Sequence, residues 1–470
     1  MPWVLPPQDA VTLGELRGEL YSVARHDCDT LSDDFTRRGG RALHPARVTS
    51  CRPQRPRAST HEQPHERAPL LERVVATAKA LVLSDGADVR QRAQDAAVDV
   101  AEWLRTAAMG SREPTPKRLR GELPTDSASR ECIVDVSWHW TENVLAVAQR
   151  DDVVALYHVE SASWDTRVLE HPAQTDVRSV AWGRYTGETL AVACSSGVLL
   201  WTVPVSRGRT EPVLKEILQH PSSGGFQQVS WNEDGSLLAA LATSGSRSSV
   251  VVVFDAIFSR KTELESSYKL RSMHWSPTGE YLFVLTEDGV SLMWETLTWK
   301  RETWEVAADG CGWSSDGRCL MVARRDSTLL YPYIFQDCPP SFDAQISSPA
   351  LDFTQETLVS LDRSTSAIVG GYVQSIAWDP SGSRVAVTYR TEASDSHEAG
   401  IAPLVCIFSV VWQPFLIFTR SGLLRGPPNA GLPRQLAFAS KFEHGALLSV
   451  AWSSGLISFH PFYLEDPKAA

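Results

Sequence analysis

A chain of 470 residues, 43% hydrophobic and 21% charged, has the composition of an ordinary folded protein and the length for two or three domains or one large closed β architecture. No stretch reaches the ~18 uninterrupted apolar residues that a membrane helix needs; the nearest, Ile407 to Phe418, is cut by Gln413 and Pro414 and suits two strands. The net charge of −11 is uneven, with 20 Lys and Arg against 18 Asp and Glu in residues 1–130 and 25 against 38 in the rest, so the bulk of the chain is a poor non-specific binder of a phosphate backbone.

Residues 1–36 open on Met1-Pro2-Trp3-Val4-Leu5, which has neither the charged nor the apolar region of a secretory leader, and no Asn-x-Ser/Thr sequon follows anywhere. Val11 to Ala24 reads as a strand or two. The eight cysteines (Cys28, Cys51, Cys132, Cys194, Cys311, Cys319, Cys338, Cys406) show no paired spacing and are expected to be the reduced thiols of an intracellular protein.

Residues 37–66 are Arg/Pro-rich: from Arg37 to Arg57 there are seven arginines, three prolines and no acid, a composition that cannot bury a core. A disordered linker is expected there, with electrostatic contact to RNA, an acidic partner or an import receptor as its functional alternative. His61-Glu62-Gln63-Pro64-His65 spells the HExxH of zinc peptidases. That chemistry needs both histidines on one helical face, and Pro64 breaks the helix. No metal site is assigned.

In residues 67–110, Leu70, Leu71, Val74, Val75, Ala78, Leu81 and Val82, and then Val89, Ala93, Ala96, Ala97, Val100 and Leu104, recur at helical spacing. Ser84-Asp85-Gly86 separates the two runs and Gly110 stops the second, which predicts a helical hairpin packed on the body or on a partner. Residues 111–130 are a second linker, with a weak import-like cluster at Lys117-Arg118-Leu119-Arg120.

From residue 131 onward a repeat dominates. Its anchor is a short strand ending in Trp, at Trp138, Trp182, Trp231, Trp275, Trp313 and Trp378, with Phe438 in a seventh copy. The anchors lie 44, 49, 44, 38, 65 and 60 residues apart. Tight turns follow several of them, as in Asn232-Glu-Asp-Gly235, Ser276-Pro-Thr-Gly279, Ser314-Ser-Asp-Gly317 and Asp379-Pro-Ser-Gly382, where Gly supplies the positive φ. Near-continuous apolar second strands come next, such as Val144-Leu-Ala-Val-Ala148 and Tyr281-Leu-Phe-Val-Leu285, as burial on both sheet faces demands. Third strands close on an aromatic and a polar residue, as in Trp201-Thr202, Phe254-Asp255 and Trp294-Glu295, while the mixed segments Trp164 to Leu169 and Val213 to Leu218 read as outer fourth strands. Seven copies predict an all-β fold, a seven-bladed WD40-like β-propeller over 131–464, with a partly helical, partly disordered N-terminal extension and a short tail at 465–470. The anchor tryptophans are core.

The last copy runs out of chain before a fourth strand. An open edge there invites aggregation, so an N-terminal segment is expected to close the disk, either Val11 to Val23 or the residues just before Cys132. The long insertions Gln336 to Gly370 and Arg390 to Pro403 are candidate contact loops.

Several strings are more specific than the repeat itself: Gly445-Ala-Leu-Leu-Ser-Val-Ala-Trp-Ser-Ser-Gly455 with Phe462-Tyr463, Thr189 to Thr202, Leu218-Gln-His-Pro221, Gly371 to Gly382 and Gln8 to Val23. In these the chain resembles the aladin family of WD-repeat nucleoporins, across nearly the whole propeller and in the same order. Like that family, it lacks most Gly-His dipeptides and the Asp-His-Ser-Trp network of ordinary WD repeats. The resemblance implies a non-enzymatic scaffold of the nuclear pore complex at the nuclear envelope, docked to a transmembrane nucleoporin. It also implies support of nucleocytoplasmic transport of protein and RNA, and membrane association only through that partner.

The residues themselves assemble no reaction centre. There is no GxSxG, no GxxxxGK[ST] and no dinucleotide fingerprint, and His139, His158, His171, His220 and His274 fall at strand ends or turns, where structural hydrogen bonding is expected. No catalytic, cofactor-binding or metal-binding residue, no cofactor and no small-molecule substrate is assigned. The alternative function is a WD adaptor of another complex, such as a ubiquitin-ligase substrate receptor.

Overall fold

The computed structural model describes residues 3–7, 10–24, 35–48, 132–184, 187–205, 210–220, 224–242, 249–256, 260–335, 345–346, 351–359, 366–390, 404–412, 416–443 and 445–464. Seven sheets, antiparallel except for one parallel pair in the last, form the blades in chain order. Blade 1 comprises Ile133–Trp138, Val144–Gln149, Val154–His158 and Ser163–Leu169; blades 2 to 6 occupy 179–218, 226–266, 270–304, 308–352 and 372–425. Blade 7 is built from Pro433–Phe438, Gly445–Trp452 and Leu456–Tyr463, and then takes strands from the other end of the chain.

Seven apolar clusters hold the disk, one at each interface between neighbouring blades, including that between blades 7 and 1. The second strands explain why those sequences are apolar without a break. Val144, Ala146 and Ala148 face blade 2, and Leu145 and Val147 face blade 7; in blade 4, Tyr281, Phe283 and Leu285 face blade 5, and Leu282 and Val284 face blade 3. A period of two with both faces covered reads as an unbroken hydrophobic run. The outer strands Ser163–Leu169 and Val213–Leu218 mix exposed and partly covered residues, with Leu169 buried at the end of the first. The apolar run broken at Gln413 and Pro414 forms two strands, Leu404–Val411 and Ile417–Arg425.

Three of the six anchor tryptophans also bond across blades. Trp138 Nε1 donates to the Ala437 carbonyl (3.2 Å) and to Ser449 Oγ (2.9 Å), Trp231 Nε1 to the Ala181 carbonyl (3.2 Å) and Trp275 Nε1 to the Ser230 carbonyl (3.0 Å). The residue after the anchor ties the turn. Asn232 Oδ1, Ser276 Oγ, Ser314 Oγ and Asp379 Oδ1 each accept the backbone N–H five residues on, at 2.9, 3.0, 2.9 and 2.6 Å. His139 holds the same place in blade 1: its Nδ1 accepts from Glu142 N (3.0 Å), which leaves Nε2–H to donate to the Gly187 carbonyl (2.5 Å). Burial lowers its pKa, consistent with this neutral tautomer.

The N-terminal chain completes blade 7. Ala10–Leu16 lies parallel to Leu456–Tyr463, with Glu15 opposite Phe462 and Leu16 opposite Tyr463, and Glu19–Ala24 folds back on it antiparallel. Further along the same edge, Ala46–Arg47 pairs with Leu456 and Ile457. The missing fourth strand is therefore a composite of two N-terminal pieces. Gly14 permits the approach: a Cβ there would sit 2.4 Å from the Pro461 carbonyl oxygen. Between the pieces, Phe35 is fully buried against Tyr21 and Tyr463, and Arg41 N donates to Tyr463 Oη (2.8 Å).

Two expectations are corrected. Residues 37–48, expected to belong to a disordered linker, lie against the last blade, because an open strand edge recruits backbone hydrogen bonds whatever the side-chain composition. Cys132, expected to be a free thiol like the rest, is disulfide-bonded; sequence spacing did not reveal this because a disulfide needs closeness in space only. Cys194, Cys311, Cys319 and Cys406 are buried free thiols, and burial raises the pKa of the last three, which keeps them inert. The predicted helical hairpin, the HExxH string, Lys117 to Arg120, residues 391–403 and the tail lie outside the described residues.

His460 sits on Leu456–Tyr463 with 1% exposure, and burial pulls its pKa from 6.5 down to about 4. The unfolded chain binds a proton that the folded chain refuses, so its contribution to stability is complete above pH 6.5 and is lost as pH falls towards 4. The slope is at most about 1.4 kcal/mol per pH unit. Denaturation of parent and His460→Asn proteins at pH 7, 6 and 5 is expected to give a shallower loss of stability in the variant; parallel curves would show that the site does not exclude the proton.

Candidate interaction surface

The innermost strands line the central channel, and each carries a bulge at one recurring place. Register shifts fall between Ile133 and Asp135, Phe226 and Gln228, Leu270 and Ser272, Ala308 and Gly310, Val373 and Ser375, and Pro433 and Gln435. In blade 2, Arg178 N donates to the Ala193 carbonyl (3.0 Å) while Ser179 also pairs with Ala193, the same two-against-one arrangement. The extra residue always stands four before the anchor aromatic: Val134, Arg178, Gln227, Arg271, Asp309, Gln374 and Arg434. A bulge re-aims its side chain. Val134, Arg178, Gln227, Arg271 and Arg434 line one open cavity of about 440 Å³.

In blades 1, 2, 3 and 7 the next residue of the strand stitches neighbouring blades, with Ser179 Oγ accepting from Val229 N (3.3 Å) in blade 2. Gln228 Oε1 accepts from Met273 N (2.8 Å) while its Nε2 donates to the Met273 carbonyl (3.0 Å), and Gln435 Oε1 accepts from Val136 N (3.1 Å) across the blade 7–1 seam. Asp135 accepts from Val180 N (2.8 Å), Val136 N (2.9 Å) and Gln435 Nε2 (2.5 Å). Burial raises its pKa against these donors. The result is a rigid polar collar in which Arg178, Arg271 and Arg434 are the cationic groups.

Arg178 pairs with Asp176 (2.7 Å) at the surface. Arg271 and Arg325 share the Asp309 carboxylate at 2.9 and 3.1 Å, which holds that acid below its ordinary pKa, against the effect of its burial. Two guanidinium groups on one carboxylate leave an excess positive charge.

The histidines picked out by sequence are dispersed. His158 meets Asp165 (3.3 Å), His171 Nδ1 accepts from Ala173 N (3.1 Å), His220 meets Glu263 (3.2 Å) and His274 meets Ser272 (3.2 Å). Among the described residues no group of three His, Cys, Asp or Glu is arranged to hold a metal, and no helix is long and apolar enough to cross a membrane. The candidate loop Gln336 to Gly370 is in part regular structure. Leu351–Asp352 pairs with Leu329 and Leu330, and Glu356–Val359 forms a hairpin with Ser366–Val369. Trp3 reaches this region, edge-on to Phe408 (5.3 Å) and under the Arg420 guanidinium (5.1 Å).

The column four residues before each anchor was not singled out by sequence reading. It becomes visible once the seven anchors are aligned, as the one inner-strand column that holds three arginines.

A ring of seven blades, closed by strands from both chain ends and stitched around its channel, defines a WD-type β-propeller. The family model of the aladin seven-bladed propeller matches residues 125–463, and the chain belongs to that family. The protein named Aladin from Arabidopsis thaliana is 25% identical over 357 residues, spanning 70% of this chain and 76% of that one. Among solved structures, the β-propeller domain of Cps50 (Swd1) from Myceliophteria thermophila aligns with a TM-score of 0.49 at 15% identity, covering 71% of this chain and 97% of that one.

Proposed function

We propose that this protein is a non-catalytic scaffold nucleoporin of the nuclear pore complex, held at the pore membrane by a transmembrane nucleoporin and supporting nucleocytoplasmic transport of protein and RNA. The observation that carries this reading is the match to the aladin propeller over the whole disk. A closed propeller is suited to such a part because its rigid rim and two faces present several protein-binding surfaces at once.

Affinity capture of the tagged full chain from detergent-solubilised nuclear envelopes tests it. Recovery of a transmembrane nucleoporin together with scaffold nucleoporins, at constant ratio across washes, is the expected result. Recovery of cullin-type ligase subunits without nucleoporins would replace this reading with that of a ligase substrate receptor.

A further inference from the structure

We propose that the bulge-ringed mouth of the central channel is a binding site for an anionic side chain of a partner polypeptide, an acidic or phosphorylated residue held by Arg178, Arg271 and Arg434. Three observations carry it. The three arginines occupy one structural column on three different blades and converge on a single cavity of about 440 Å³, room for a side chain and not for a folded element. Among the described lining residues the one carboxylate, Asp135, has its oxygens committed to the neutral donors Val136 N, Val180 N and Gln435 Nε2 and is held in the collar. The guanidinium groups stand on bulges of the innermost strands, which the collar of inter-blade hydrogen bonds keeps rigid, so little ordering is required on binding.

The surroundings select a peptide over a nucleic acid. Beyond residue 130 the chain holds 25 basic against 38 acidic residues, so an extended phosphate backbone leaving the mouth would meet a repulsive surface. A polypeptide that places one anion in the mouth avoids that repulsion. Planar guanidinium groups suit carboxylate and phosphate oxygens, which accept paired N–H bonds. The site does not depend on the pore assignment.

The test uses the folded full chain and three fluorescent degenerate peptides with a fixed central phosphoserine, glutamate or serine, with an oligouridine RNA alongside. The expected result is binding of the phosphoserine or glutamate peptides, loss of binding for the serine peptide, and weakening by about tenfold or more in the Arg178→Gln/Arg434→Gln variant at unchanged melting temperature. Comparing the two anionic peptides distinguishes a phosphate from a carboxylate ligand. Should the variant melt early, the single Arg178→Gln protein, which loses only a surface pair, carries the comparison. Equal binding of all three peptides, equal binding by the variants, or RNA binding in preference to peptide would each overturn the proposal.

Discussion

Removal of residues 1–24 is expected to make the protein aggregate on expression or elute as large oligomers. The deletion takes away Ala10–Leu16 and with it the partner of Leu456–Tyr463 over the Glu15–Leu16 stretch, and it uncovers an edge whose residues are otherwise buried throughout. An apolar strand with unpaired N–H and C=O groups is a template for association with another copy. The loss extends beyond one strand. Thr12 Oγ1 accepts from Arg425 N (3.0 Å) and the Pro6 carbonyl accepts from Arg425 Nη2 (3.1 Å), so blade 6 also loses bonds to the N-terminal segment. Size-exclusion chromatography with light scattering reads the outcome. A truncated protein that is monomeric and melts within a degree or two of the parent would show that the N-terminal strand is a passenger.

The second large effect is expected at the ion pair that fastens this strand. Glu15 has 0% exposure, and Arg384 of blade 6 reaches it with Nε at 2.9 and 3.1 Å from the two carboxylate oxygens and Nη2 at 2.5 Å. Truncating one partner strands the other charge in a dry site, which costs about 3–5 kcal/mol, whereas replacing both with apolar residues of similar volume is close to neutral. Chemical denaturation of Glu15→Ala, Arg384→Met and Glu15→Leu/Arg384→Met proteins separates the cases. Both single variants are expected to be severely destabilised and the double variant to recover most of the loss. Additive losses in the double variant would mean that the two side chains act independently.

The disk itself was legible because its signals repeat. Each anchor aromatic is followed by a turn and a strand buried on both faces, and seven copies of that pattern leave few alternatives. The closing strand was half legible: Val11 to Val23 has strand composition and the last blade lacks an edge, but nothing in the sequence ranks that segment over the residues ahead of Cys132. The two-residue strand Ala46–Arg47 was not legible at all. It lies in an Arg/Pro-rich stretch, and its pairing comes from the neighbouring edge and from the burial of Phe35, both tertiary effects. The channel mouth fell between these cases. Its arginines are dispersed over 257 positions of the chain, from Arg178 to Arg434, and become a cluster only when the bulge of each blade turns one residue towards the axis.

The same geometry separates stability from recognition. Tryptophan anchors and glutamine stitches are spent on inter-blade contacts, and turn-capping side chains such as His139 and Asp379 on the turns of their own blades. The arginines on the bulges line the open cavity at the channel mouth, the kind of place where a partner is read.

The central claim, that this propeller is a pore scaffold, is tested most directly by imaging the fluorescently tagged full chain at endogenous level in its own cells. A punctate nuclear rim that coincides with a scaffold nucleoporin is the predicted result. A diffuse cytoplasmic or nucleoplasmic signal with no rim would contradict it.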